Sequence, residues 1–339
     1  MSTDNATDEI PYIRAVNEAL RWAMREYPEA LIFGEDLALP GGPFGSTRRL
    51  RSEFGDRIFD TPISESGFVG AAVGAAIRGK RPIIEIMFMD FTQVAMDQIV
   101  NQLANVHYVS NGTMRAPVTI RTQQGHTPGS VAQHSQSLEA IFAHIPGIRV
   151  GCPATARDAY EMLRTAIACD DPTIVIEARA LYPVTGPVPL DGPVEPLGGA
   201  VVRRTGTDVT LVTWSSLLPR ALAAADLLVD RNIDVAVIDL RWINPLDTDT
   251  IAESLAETGR LVIAHEANRT AGFGAEIAAW AAAERFWDLD APIVRIATPD
   301  VRIPAAPILQ QALIPSVESI ADEITRAIQQ PSGPVTKEA

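Results

Sequence analysis

Short apolar runs and helix-length segments alternate along this chain in two separate blocks, the pattern of a mostly parallel sheet covered by helices. In the first block Ile13, Val16, Leu20 and Met24 form an apolar helix stripe. Residues 31–33 and 82–88 have the composition of strands, with a helix at 67–78 between them and a long helix at 91–109 after them. A strand at 118–121, a short helix at 138–143, a strand at 149–152, a helix at 156–168 and a strand at 173–176 complete the block. Five prolines and two glycines then fall between Pro183 and Pro196, the composition of a linker. The second block gives strands at 209–214, 235–240, 261–265 and 293–297, and helices at 219–230, 247–256 and 273–285. The expected fold is therefore α/β, with domains at 10–183 and 207–330, a Pro/Gly-rich linker at 184–206, and a frayed tail at 331–339.

Charge and composition narrow the partners. A chain of 339 residues with 47% hydrophobic and 21% charged residues can bury two sizeable cores. A formal charge of −14 sets it against nucleic acid and anionic membranes, both of which repel an acidic surface. The longest apolar stretch, 68–77, is too short to span a bilayer and is closed by Arg78, Lys80 and Arg81. Residues 1–10 carry neither a basic residue nor an apolar core, so no ordinary signal peptide is expected. Cys152 and Cys169 lie in no Cys-x-x-Cys pattern and fit small buried residues in the reducing cytoplasm.

The segment Asp-Thr-Pro-Ile-Ser-Glu-Ser-Gly at 60–67 places Glu65 at a sharp strand-to-helix junction, where catalytic groups tend to sit. Pro62 biases Thr61 away from helix, Ser64 is a candidate cap, and Gly67, Gly70, Ala71, Gly74 and Ala75 continue the helix. Position alone also suits a Glu that merely interacts with the helix dipole. A second block, Gln133-His134-Ser135-Gln136-Ser137-Leu138-Glu139-Ala140 followed by Phe142-Ala143-His144-Ile145-Pro146-Gly147, changes that balance.

In this order the two blocks resemble the β subunit of the thiamine-diphosphate-dependent E1 component of 2-oxoacid dehydrogenase complexes, of pyruvate, branched-chain or acetoin type. Gly34-Glu35-Asp36, the run 81–88 and Asp97-Gln98-Ile99-Val100-Asn101 match as well, so the likeness extends from about Ile13 to Ile328. It implies two three-layer domains, a pyrimidine-binding domain of transketolase type followed by a transketolase C-terminal-type domain. It also implies that Glu65 is catalytic, contacting N1′ of the aminopyrimidine and setting its protonation, with Ile63, Met87 and Phe91 lining the ring. Taken alone, any of these three is equally a core residue. His134 is the second catalytic residue implied, placed beside the reacting carbon to help acyl transfer to the lipoyl group. Among the other histidines, His107 and His144 fit structural roles, His126 a solvated loop, and His265 the lining of an interface. No metal-ligand spacing links the five, so no metal ligand is expected in this chain.

The chain has no Gly-x-Gly-x-x-Gly after a strand, no Walker-type Gly-Lys-Ser/Thr, and no Gly-Asp-Gly of the kind that holds Mg²⁺ and diphosphate in thiamine-diphosphate enzymes. Its one Asp-Gly, Asp191-Gly192, lies in the linker. The resemblance then implies half a cofactor site: the diphosphate and its Mg²⁺ belong to an α subunit, in a heterotetramer with two copies of each chain. A lipoyl-bearing E2 acyltransferase and a small 2-oxo acid complete the implied partners. Two departures bear on substrate and ions. The loop 123–129 is poorer in glycine than in many relatives, and Cys169 stands where an Asp is common in the turn that some relatives use to bind potassium. The alternatives are the C-terminal half of a split transketolase-like enzyme and a non-catalytic assembly subunit.

Overall fold

Chain order alone sets up a doubly covered sheet, and the strand register fulfils it. The computed structural model describes residues 8–329; the tail expected at 331–339 lies outside them. Two compact units are present among the described residues, one made of 8–124 and 133–197, the other of 125–132 and 198–329.

The first unit begins with strand β1 (Asp8–Pro11), helix α1 (Tyr12–Glu26) and strand β2 (Ala30–Gly34). Helix α2 (Leu50–Phe54), strand β3 (Ile58–Asp60), helix α3 (Glu65–Ile77), strand β4 (Arg81–Ile86) and the single turn α4 (Val106–Val109) follow. Then come β5 (Thr119–Gln124), α5 (Glu139–Ala143), β6 (Arg149–Gly151), α6 (Ala156–Ala168), β7 (Thr173–Ala178) and β8 (Thr185–Val188). Strands β6, β7, β5, β4, β2 and β3 hydrogen-bond in that order, all parallel.

The apolar stripe of α1 explains its seat. Ala15, Val16, Ala19, Leu20, Ala23 and Met24 recur at helical spacing and are all buried, each large side chain adding about 1.5–3 kcal/mol. Helix α6 is better capped than any other in this unit: Thr155 and Asp158 form a reciprocal capping box. Strands β4, β5 and β7 are tied by one buried cluster. Arg121 donates to Glu85 at 2.6 Å and bidentately to Glu177 at 2.7 and 3.0 Å, while Ser46 and Tyr182 hydroxyls satisfy the same two carboxylates. Burial works against the Arg121 charge, but the two carboxylates outweigh it and hold the guanidinium firmly protonated.

The second unit contains β9 (Val201–Arg204), β10 (Val209–Thr213), α7 (Leu218–Val229), β11 (Val235–Asp239), β12 (Trp242–Asn244) and α8 (Thr248–Thr258). It continues with β13 (Leu261–Asn268), α9 (Gly274–Glu284), β14 (Val294–Thr298), α10 (Pro307–Leu313) and α11 (Val317–Gln329). Its sheet runs β14-β13-β10-β11-β9, parallel except for β9.

Several expectations are corrected. The single helix expected at 91–109 is broken into a 3₁₀ segment (Met89–Ala95), a π-helical segment (Asp97–Leu103) and α4. Polar side chains bond the local backbone there: the Thr92 hydroxyl donates to Met89 O at 2.6 Å, and the Asn105 amide to Val100 O and Asn101 O. Ser64 occupies the N-cap position of α3, yet its side chain makes no capping bond. The Pro/Gly-rich stretch at 184–206 carries β8, antiparallel to β1, and β9, and Arg164 and Thr165 of α6 hydrogen-bond Gly192 O and Glu195 O. His265 lines no exposed face: it is fully buried, its ring stacked 5.1 Å from that of Trp214. Among the described residues, no helix is long and apolar enough to cross a membrane.

Candidate active site

Parallel strands bring their carboxyl ends to one edge, where backbone and side chains are free to meet a ligand. In the first unit five segments leave that edge. Glu35 follows β2, the 61–64 turn and Glu65 follow β3, Met87 and Phe88 follow β4, the chain towards His134 follows β5, and Arg179 follows β7.

Glu65 opens α3 and is buried, 7% exposed, where its carboxylate favours the helix N-terminus. It makes no hydrogen bond or ion pair with a described residue. Glu35 stands close enough for the two charges to interact: burial first, then the charge of Glu65, lifts the Glu35 carboxyl above its ordinary range. Glu35 Oε1 is likewise buried without a partner. A buried, unpartnered Glu35 oxygen close to a second carboxyl group at one edge marks a place for a proton-carrying ligand.

His134, in a 3₁₀ turn (Ala132–His134), packs edge-on against Phe88 at 4.6 Å and Phe91 at 5.5 Å between ring centroids. Arg179 donates to the His134 carbonyl and lays its guanidinium 4.8 Å over the Phe88 ring. Gln136 donates to the buried Asp90 at 2.8 Å, fixing the chain just beyond His134. The structure thus unites two of the expected residues, His134 and Phe91. Met87 is half-buried at the end of β4, and Ile63 is 83% exposed in the turn before Glu65. Glu35, Phe88 and Arg179 were not singled out from sequence. Each stands one residue or two beyond the end of an observed strand, β2, β4 or β7.

The face of α3 that carries Gly67, Ala71 and Ala75 borders an apolar cleft of about 380 Å³, with Phe33, Phe59 and Phe68 also in its wall. Within the second unit, His126 is not the solvated residue expected. Its ring Nδ1 and its backbone N–H both lie 2.8 Å from Glu266 Oε1, because a buried carboxylate needs donors and this turn supplies them.

The family model of the transketolase pyrimidine-binding domain matches residues 8–185, and that of the transketolase C-terminal domain residues 198–320. The 3-methyl-2-oxobutanoate dehydrogenase subunit beta of Mycobacterium tuberculosis is 40% identical over 333 residues, 98% of this chain and 95% of its own. The acetoin:2,6-dichlorophenolindophenol oxidoreductase subunit beta of Cupriavidus necator is 41% identical over 317 residues, 91% of this chain and 94% of its own. The pyruvate dehydrogenase E1 component subunit beta of Leifsonia xyli is 40% identical over 321 residues, 94% and 95% of the two chains. A solved structure described as a split gene transketolase, inactive β4 tetramer, shares the fold, with a TM-score of 0.79 at 23% identity over 95% of this chain and 99% of that one. Matched over nearly its whole length by such relatives, the chain belongs to the family of transketolase-like E1 β subunits of 2-oxoacid and acetoin dehydrogenases.

Proposed function

We propose that the chain is the β half of a heteromeric E1 that decarboxylates a 2-oxo acid, or cleaves acetoin, on thiamine diphosphate and passes the acyl group to the lipoyl domain of an E2. The observation that carries this is Glu65, a buried residue at the carboxyl edge of the pyrimidine-binding domain whose carboxylate bonds to no described residue. A ring nitrogen that shares a proton, such as N1′ of an aminopyrimidine, gives it a partner. Phe91 and Met87 offer apolar surface to the flat ring, and Ile63 offers exposed apolar surface beside Glu65.

Bound thiamine diphosphate supplies the electron sink for carbon–carbon cleavage. Glu65 holds the proton at N1′, and the raised Glu35 carboxyl beside it keeps that position proton-rich. His134, set by Phe88, Phe91 and the Arg179 contact, gives a proton to the sulfur released when the lipoyl disulfide opens, the disulfide being reduced as it takes up the acyl group. The chain has no Gly-Asp-Gly, which supports an α subunit as the holder of Mg²⁺ and diphosphate, in an assembly with two copies of each chain. Cys152 and Cys169 form no disulfide, in keeping with work in the cytoplasm.

Identities of 40%, 41% and 40% to branched-chain, acetoin and pyruvate relatives favour none of the three substrates. The deciding experiment is co-purification with the α partner and an artificial-acceptor assay over pyruvate, 3-methyl-2-oxobutanoate and acetoin. Turnover of one of them by the pair, and none by the lone chain, is expected; a pair inactive on all three refutes the assignment.

A further inference from the structure

The loop 35–49, which joins β2 to α2, is built as a fixed piece of the first unit. The Ser46 hydroxyl donates to Glu85 Oε2 at 3.0 Å, the Thr47 hydroxyl to Leu37 O at 2.7 Å, and the Asn17 amide of α1 to Ser46 O at 2.8 Å. Ser46 and Thr47 are both buried. Across the loop, the backbone N–H of Gly42 reaches Asp36 O at 2.9 Å and that of Thr47 reaches Gly41 O at 3.0 Å. A loop closed on itself and tied to α1 and β4 holds the side chains between those ties in one place.

Phe44 is one of them. Its ring meets the Phe88 ring edge to face, 6.0 Å apart at 89°, and the Tyr182 ring at 5.6 Å and 63°. Tyr182 is itself anchored: it is buried, and its hydroxyl donates to Glu177 Oε2 at 2.7 Å inside the Arg121 cluster. Phe88 is the ring on which His134 packs and which Arg179 covers. Phe44 thus links the buried charge cluster of the sheet to the frame of His134. The residue is 36% exposed, so burial alone accounts poorly for an aromatic side chain here. What the ring does make is two oriented aromatic contacts, whose dependence on direction fixes a neighbour more closely than plain apolar contact does.

We propose that Phe44 is a positioning residue for His134: packed on Tyr182, it steadies the Phe88 ring, and through Phe88 it keeps the imidazole where its proton can reach the lipoyl sulfur. This role rests on that of His134 proposed above and calls for a test that can fail separately. Proton transfer needs hydrogen-bond reach, so a small displacement of the imidazole costs rate steeply. Cleavage of the donor, which draws on Glu65, does not pass through the Phe44 contact.

Phe44→Ala removes the ring, Phe44→Leu keeps apolar bulk without a ring, and Phe44→Tyr keeps the ring. The first measurement is proton–carbon NMR of the full chain labelled in histidine, with the His134 ring signals identified by their loss in His134→Ala. Phe44→Ala and Phe44→Leu should move those signals, because the magnetic field of the Phe88 ring at His134 depends on how the two rings are turned. Phe44→Tyr should leave them close to wild type. The second measurement compares the two rates of the reconstituted complex. In Phe44→Ala, lipoyl acylation should fall about 10-fold and artificial-acceptor reduction far less, with Phe44→Tyr restoring the wild-type ratio. A residue that serves folding alone would lower the melting temperature, or both rates together, and leave that ratio as it was. Unmoved His134 signals in Phe44→Ala, or a wild-type ratio of its two rates, overturns the proposal. His134→Ala, assayed in parallel, separates the two levels. A selective loss of acylation there beside a wild-type ratio in Phe44→Ala strikes Phe44 alone, and wild-type rates in His134→Ala remove the role of His134 on which that of Phe44 rests.

Discussion

The rings of Phe88 and His134 meet edge to face, 4.6 Å apart at 89° between planes, and Arg179 covers the Phe88 ring. Aromatic packing of this kind fixes the imidazole without using its nitrogens. His134 is therefore held in place while its ring nitrogens bond to no described residue and stay available for chemistry.

His134→Ala should act late in the reaction. In the reconstituted complex, reduction of an artificial acceptor should fall much less than acylation of the lipoyl domain. Equal losses in both assays would place His134 at or before carbon–carbon cleavage, and no loss in either would reduce it to a packing residue.

Gly74 lies on the exposed side of α3, where a Cβ would meet nothing within 4 Å. Gly74→Leu should leave the chain folded, since leucine improves helix propensity by up to about 1 kcal/mol over glycine. Its expected effect is on assembly, by blocking close approach of a partner to the small-residue face. Light scattering after mixing with the α subunit checks this; a full-size complex from Gly74→Leu would show that the face is not an interface.

Glu161 of α6 supplies a pH signature. Burial first, then its hydrogen bond with Glu195, lifts the carboxyl to about 7, against the opposing pull of Arg157. Between the ordinary carboxyl range and that value, the folded chain keeps a proton that the unfolded chain has released. Stability from this group is therefore present at the acid end of the window and lost as pH rises through it. Glu161→Gln retains hydrogen-bonding capacity and cannot ionise, so its melting temperature should fall less than that of the wild-type chain between about pH 5 and pH 8. Parallel curves for the two proteins would refute the shared-proton arrangement.

Much of the fold is legible in sequence because its strands are short apolar runs between strong helix signals. Helix α6 was read at its observed bounds, Ala156–Ala168, and β10, β11, β13 and β14 within a few residues of theirs. What was missed depends on tertiary partners. Strands β8 and β9 lie in or beside proline-rich sequence and are strands only because β1 and β11 pair with them. The break in the helix expected at 91–109 follows from side-chain bonds to local backbone that periodicity does not register. At the site, Glu65 and His134 stand out through their motifs, whereas Phe88 and Arg179 gain their roles only once the strand ends are placed; in the second unit, the same holds for the Glu266–His126 pair. The last of these joins residues 140 positions apart.

The central claim is that Glu65 is the proton-sharing carboxylate of the site, and Glu65→Gln tests it most directly. Glutamine preserves size and hydrogen bonding but cannot hold a shared proton, so cleavage and every later step should slow together. The measurement is artificial-acceptor reduction and lipoyl acylation by the reconstituted Glu65→Gln complex, with cofactor affinity checked by calorimetry. Both rates should drop about 10²-fold or more by a common factor; wild-type rates in both assays with cofactor bound would remove Glu65 from the proton-sharing role.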